Sequence, residues 1–474
     1  MRSVLAARVA AVVLVVAGPA AAQVPRVPEG LPPLPETIVL YGERLPTGAD
    51  LPALAPPPGA RVLTLDEAVA LARVLNAGQQ VSDLEALRAA TDRTRSNAGY
   101  APVVDASAGL TGEQTGFGRD STGSNGRTTL TATVGGGITL LDGGGRAAAF
   151  RRLDADARRF AILADADAEA LALAVAAAVL DVARQRALAD AVEEAVTVST
   201  DRLRLAAAEV RIGTAAEVDA ALALSDLNAD RARLLRARVA LAGARATLGG
   251  LLGLPDPDAV DVREPLVLGP PPDTDSLAAA VVAGNREVRA LGVAREAAEA
   301  VVDEIRSLYR PSVRATAGLG VTAFDGGFLP PAFDPGLTPR LQAGLTLSVP
   351  LFDGGERRRQ LDVADLRIRQ ADASRRDALA RARADAARAV AAVEGQRALA
   401  ALEAGNEAVA RQNVRVALAQ LRLGVITPLD LRQVQLALVD AQARRVEATF
   451  QARLAEFELR LLAGDLLGGT LLAP

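Results

Sequence analysis

Two stretches of 70 residues, 143–212 and 354–423, contain no proline and few glycines, and this constrains the fold more than any other feature. Proline in a helix interior removes a backbone donor and clashes with the preceding turn. Each uninterrupted stretch therefore predicts a single helix, ~105 Å long at ~1.5 Å per residue. Globular domains do not use helices of that length. The apolar spacing fits helices lying side by side: Leu402, Val409, Val416 and Leu423 recur every seven residues, with Leu399, Asn406, Asn413 and Gln420 between them. Leu171, Val175, Ala178 and Val182 follow the same rhythm.

The two stretches hold equivalent places in a duplicated sequence. Asn76, Tyr100 and Pro102 recur 209 residues later as Asn285, Tyr309 and Pro311. At an offset of 211, LLDGGGR at 140–146 returns as LFDGGER at 351–357, Gly213 as Gly424, Asp219 as Asp430, and Gly253 as Gly464. Repeat 1 is expected over 63–254, a proline-rich connector over 255–273, repeat 2 over 274–467, and a short tail over 468–474. Each repeat reads helix, two strands, long helix, turn, helix, with the turns at 211–216 and 422–428. In repeat 1 the leading helix, about 66–97, starts behind Thr64 with Asp66 and Glu67 in its first turn. It must end before Pro102. It and the returning helix, about 215–252, together match the length of the long helix, so the two are expected to stack end to end beside it.

Strands are expected within 102–141 and 311–352. Leu130, Ala132, Val134, Ile138 and Leu140 share a segment with Thr129, Thr131, Thr133 and Thr139, and 103–111, 313–321 and 341–349 also alternate. The runs have the length of tilted transmembrane strands, about 9–11 residues. No other sheet is expected. Alternation also suits one half of a soluble sheet, but four strands in lipid would leave open edges that lipid cannot satisfy. Closure would need further copies of the chain: two give eight strands, three give twelve. Asp142 and Asp353 stand where strand becomes helix, where a carboxylate can cap the following amides.

Composition sets the compartment and narrows the chemistry. Arg2 and Arg8, an apolar run from Val9 to Ala17, and Ala20-Ala21-Ala22 make residues 1–22 a secretory signal, with the mature chain starting near Gln23. Residues 23–62 are rich in proline and read as an extended, mostly unfolded spacer, either a free tail or a docking segment. The chain has no cysteine and no histidine, and all 53 basic residues are arginine. That removes disulfides, the usual zinc ligands and the usual general base of hydrolytic triads. No catalytic residue, cofactor or metal site is expected. A net charge of −4, falling to −6 without the signal, argues against nucleic acid. A soluble periplasmic coiled-coil spacer or adaptor is the main alternative to a membrane tube. An envelope hydrolase with paired carboxylates is the lesser one, since nothing pairs two acids.

With its duplicated plan, VPLFDGGERR at 349–358 and LRLGVITPLDLRQVQLAL at 421–438, the chain over about 63–467 resembles TolC-type outer-membrane efflux proteins, the outer membrane factor family. The resemblance implies a mainly α protein with a small antiparallel β part. Three internally duplicated chains would form a tube, a 12-stranded transmembrane β-barrel continued by a long 12-helix α-barrel. It implies a passive exit duct for a tripartite efflux or type I secretion system, set in outer-membrane lipid and reaching into the periplasm. The expected partners are two further copies of the chain, a periplasmic adaptor and an inner-membrane pump. Arg211, Gly213, Arg422, Leu423 and Gly424 would lie at the periplasmic tip and meet the adaptor, and Asp219 and Asp430, about two helical turns beyond the turns, would ring the aperture. Where family members often carry a second acid or Tyr and Arg gating contacts, this chain has Gln433, Leu421 and Ile426.

Overall fold

The computed structural model describes residues 37–40, 43–46, 51–52, 54–115, 125–325, 336–423 and 425–464. The signal and tail expected at 1–22 and 468–474, and Gly424, lie outside the described residues. In chain order the elements are β1 (Thr37–Leu40), β2 (Glu43–Pro46), β3 (Arg61–Leu63), α1 (Leu65–Leu75), α2 (Ala77–Asp92), β4 (Val103–Thr115) and β5 (Asn125–Leu141). There follow α3 (Gly145–Arg211), α4 (Glu217–Leu251), β6 (Val260–Val262), α5 (Thr274–Gly284) and α6 (Arg286–Ser307). The chain continues as β7 (Ser312–Asp325), β8 (Gly336–Ser348), α7 (Glu356–Arg422) and α8 (Pro428–Ala463).

Both long helices are continuous over 67 residues. The helices form one layer: α3 lies between α1, α2 and α4 on one flank and α6 and α8 on the other, and α7 packs against α5, α6 and α8. A wall helix touches neighbours on two opposite flanks, so its apolar residues divide into two stripes, and small residues let the axes approach. Ala164, Ala168, Ala172, Ala176 and Val179 of α3 are buried this way. The largest core cluster gathers α1, the middle of α3 and the end of α4 around Val69, Val175, Val179, Leu248 and Leu252.

The leading helix is not the single element expected over 66–97: it breaks at Asn76, and its second part stops at Asp92. Asn76 is extended (φ −67°, ψ 121°) and its Oδ1 accepts from the Gln79 amide at 3.1 Å, capping α2. Its Nδ2 donates to Leu251 O at 2.9 Å, joining the break to the end of α4. Gly253, at φ +70°, closes the approach, because a Cβ there would stand 2.7 Å from Leu75 O. Asn285 breaks repeat 2 in the same manner, capping α6 through Val288 at 3.0 Å.

Two expectations require correction. The four-stranded sheet is not alone, since β1 pairs with β2 and β3 pairs in parallel with β6 inside the proline-rich connector. Nor is the proline-rich arm free where it is described. Ile38 is buried against Leu203, Leu224 and Leu227, and Pro52 O and Leu54 O accept from Arg238 and Arg245 of α4. Extended proline-rich backbone keeps its carbonyls unpaired, and the arginines of α4 take them up.

Candidate functional site

The main sheet runs β4-β5-β7-β8 with every pairing antiparallel. Directly paired residues share a face, and the register sorts the two faces by polarity. One carries Ala106, Ala108 and Leu110 beside Leu130, Ala132 and Val134, then Leu319, Val321 and Ala323, then Leu341 and Leu345. The other carries Asp105, Ser107, Thr131, Thr133, Arg314, Thr316, Thr322, Arg340 and Gln342. The polar face is hollow, and Asp105, Thr133, Arg314 and Arg340 line the depression. Apart from the buried Ala323, the apolar face is largely bare: Leu341 is 81 % exposed, and Leu110, Val134, Leu319 and Leu345 are exposed with it. A 13-residue strand such as β8 is ~44 Å long at ~3.4 Å per residue. Tilted by ~45°, it covers the ~30 Å hydrocarbon core of a bilayer.

The strand-to-helix corners are built alike in the two repeats. Asp142 accepts from the amides of Gly144 (3.2 Å) and Arg146 (2.5 Å). Asp353 accepts from those of Gly355 (3.1 Å) and Arg357 (2.9 Å). The Arg146 guanidinium lies 4.8 Å from the centre of the Tyr100 ring, and that of Arg357 lies 4.8 Å from Tyr309. Arg357 also bonds Asp353 directly, which holds that carboxyl below its ordinary range. The corners differ in their cover. Gly143 lies beneath Arg310, which donates to its carbonyl at 2.7 Å, whereas Gly354 has open space where a Cβ would point.

At the opposite end of the helices are the tips. Arg211 is the last residue of α3. Gly213 takes φ +78°, a left-handed value that favours glycine, and the Thr214 amide returns to Glu209 O at 3.0 Å. Arg422 ends α7, Leu423 is exposed beyond it, and the Val425 amide returns to Gln420 O at 3.0 Å. Asp219 and Asp430 lie in the first turn of the returning helices, not two turns into them. Asp219 accepts from the Ala216 amide at 3.2 Å. Asp430 and Thr427 bond each other reciprocally (2.9 and 3.2 Å), and the Thr427 hydroxyl and amide hold the Asp430 carboxyl below its ordinary range. Both carboxylates are exposed, at opposite hairpins of one chain.

Residues 277–465 match the family model described as "Outer membrane efflux protein". The matched residues lie within repeat 2. No curated protein matches the chain by sequence. Among solved structures, the outer membrane protein VceC from Vibrio cholerae aligns at TM-score 0.67 and 19 % identity, over 84 % of this chain and 96 % of that one. The CmeC outer membrane channel of Campylobacter jejuni aligns at 0.68 and 14 %, over 85 % and 86 %. The open state of the MtrE outer membrane channel of Neisseria gonorrhoeae aligns at 0.67 and 17 %, over 88 % and 98 %. At these identities the likeness is one of fold, and it extends beyond the matched domain into repeat 1.

One constellation within this architecture was invisible in the sequence. Where the two hairpins meet, Arg432 of α8 donates to both oxygens of Asp230 on α4 (2.7 and 2.8 Å). Ser199 of α3 also donates to Asp230 at 2.5 Å, and Arg233 donates at 2.8 Å. Asp230 is 1 % exposed. Burial alone pushes its carboxyl up, but the bonds from Arg432 and Ser199 outweigh that and hold it below its ordinary value. Asp230 and Arg432 are 202 residues apart and each reads as a surface charge.

Proposed function

We propose that the chain is one third of a passive outer-membrane exit duct. Three copies close into a tube with a 12-stranded β-barrel in the membrane and a 12-helix barrel below it in the periplasm. Solutes delivered by an inner-membrane pump through a periplasmic adaptor, in an efflux or type I secretion system, leave through its water-filled bore.

The observation that carries this reading is the pair of open edges. β4 and β8 end the sheet, while α2 and α4 on one side and α7 on the other end the helical layer. Strand direction alternates across the sheet, so β8 of one copy and β4 of the next are antiparallel and a ring closes without a parallel seam. α7 presents Leu402, Val409 and Val416 on an exposed stripe that Leu423 continues just past its end, and α2 presents Val81, Leu84 and Leu87. The repeat plan supplies the mate: α3 packs against α6 within the chain, and α7 and α2 are their counterparts at the offsets of 211 and 209. The open space at Gly354 is where the neighbour's α2 end would lie, as Arg310 lies over Gly143. In the closed ring the bare apolar face meets lipid and the polar hollow lines the bore.

The tips suit docking. Ile212, Leu423, Val425 and Leu429 are exposed apolar groups beside Arg211 and Gly213, and with Arg422 and Gly424 they form the proposed adaptor contact. Asp219 and Asp430 are proposed to add a ring of six carboxylates near the aperture while capping their helices. A soluble spacer would not leave so large an apolar sheet face uncovered. The test is envelope fractionation followed by reconstitution into planar bilayers. Recovery with the outer membrane and step-like conductance are expected; a soluble periplasmic product without conductance would overturn the proposal.

A further inference from the structure

A cavity of about 240 Å³ lies in the seam between the two helical hairpins, where α3 and α4 meet α7 and α8. Ala191, Val198, Val414, Leu418 and Val439 make its walls apolar, and the Asp230–Arg432 pair closes one side. Two polar groups on its lining have unused bonding capacity. Glu194 is half-buried and joins no ion pair among the described residues; its one hydrogen bond is a 3.5 Å contact from Gln442 Nε2. Gln435 Nε2 is buried without an acceptor. An apolar chamber with a few convergent polar groups is the usual make-up of a small-molecule site, and a buried donor without a partner is a standing cost that an occupant can remove.

The repeat plan does not demand this chamber. At the offset of 211, Leu402 stands for Ala191, Gly405 for Glu194, and Leu224 for Gln435. The small side chain that opens the space and both polar groups thus belong to this seam and not to its counterpart. Charge selects the occupant. The carboxylate of Glu194 is available, whereas the two guanidiniums on the lining, Arg432 and Arg233, are both bonded to Asp230, so a cation finds the less engaged counter-charge.

We propose that this cavity binds an amphipathic organic cation. Its ammonium group pairs with Glu194, a hydrogen-bond acceptor accepts from Gln435 Nε2, and a body of about one ring lies against Val198, Leu418 and Val439. The occupant touches both hairpins and so braces repeat 1 against repeat 2. Every lining residue belongs to one chain, so the inference does not depend on ring closure or on the duct reading.

The test is calorimetric titration of the full-length protein, purified in mild detergent, with procaine, which joins one ring, an ester carbonyl and a tertiary ammonium. Benzocaine, which lacks the ammonium, is the control, and heats into empty micelles are subtracted. Saturable binding of one procaine per chain is expected, weakened by roughly tenfold or more in Glu194→Gln and abolished in Val439→Phe, which fills the chamber. Circular dichroism checks that each variant is folded; should Val439→Phe unfold, Glu194→Gln, at a half-buried wall position, decides alone. Absence of saturable binding in the parent protein would overturn the proposal. So would equal affinity for benzocaine, or procaine binding that survives in every folded variant.

Discussion

Asp230 and Arg432 join the two hairpins through a buried ion pair. Both are buried, and their mutual bonds answer a desolvation cost that neither could bear alone. Asp230→Asn removes the charge and leaves Arg432 with only a 3.7 Å ionic contact to Asp226. Its expected cost is about 3–5 kcal/mol, the usual range for breaking a buried pair, read as a lowered denaturation midpoint. Asp230→Asn combined with Arg432→Met should recover much of that loss, because no buried charge remains. The pair also sets a pH dependence. The Asp230 carboxyl titrates below its ordinary 3.8 in the folded chain, so its contribution is complete above 3.8 and is lost as pH falls through the lowered folded value. Acid unfolding of the parent should therefore be steeper below pH 3.8 than that of the double variant. None of this was legible in the sequence, where a charge on a helix of a mildly acidic chain reads as solvated. The corners were more accessible. Asp142 and Asp353 were marked by their place between strand and helix, but the stacking of Arg146 on Tyr100 and Arg357 on Tyr309 was not, although all four residues stand in the repeated segments.

Among the elements, those defined by periodicity were legible and those defined by a distant partner were not. The helices expected at 143–212 and 354–423 run over Gly145–Arg211 and Glu356–Arg422, because proline-free, alanine-rich sequence leaves no local alternative. The four strands lie inside their expected spans and are longer than the alternating cores that signalled them. The break at Asn76 escaped notice because helical pattern continues on both sides, and only the end of α4 explains why the side chain turns outward. Its return at Asn285 was the available signal. The arm was misread for a similar reason: proline content predicts extension, while docking depends on arginines of α4 nearly 200 residues away. The sheet permits a sharp prediction. Leu341→Arg, on the bare apolar face, should cost about 2–4 kcal/mol if that position lies near the bilayer midplane, and should deplete the protein from the outer-membrane fraction. Thr131→Arg, on the hollow face of the same sheet, should insert normally and alter ion selectivity in planar bilayers. Equal depletion by both substitutions would mean that the two faces do not divide lipid from water.

In the whole molecule, the chain has the form of a strip with two unsatisfied sides. A head-to-tail contact between unlike edges closes into a ring if the rotation per copy allows, and the chain rehearses that contact internally where α3 meets α6. Leu402 and Val409 of α7 are exposed in the single chain, although their heptad spacing had marked a packed seam. Leu402→Asp with Val409→Asp should therefore leave the circular dichroism of the chain unchanged while releasing monomers from the detergent-extracted assembly, seen by sedimentation. The arm lies along α4, on the opposite side of the layer from α7, so deleting residues 37–54 should weaken association less than the paired aspartates do. The central claim, that one chain is an incomplete wall completed by its own copies, is tested most directly by the mass of the assembly extracted in mild detergent from the outer membrane. Three chains per particle is the predicted result; a stable monomer, or a dimer that does not close, would contradict it.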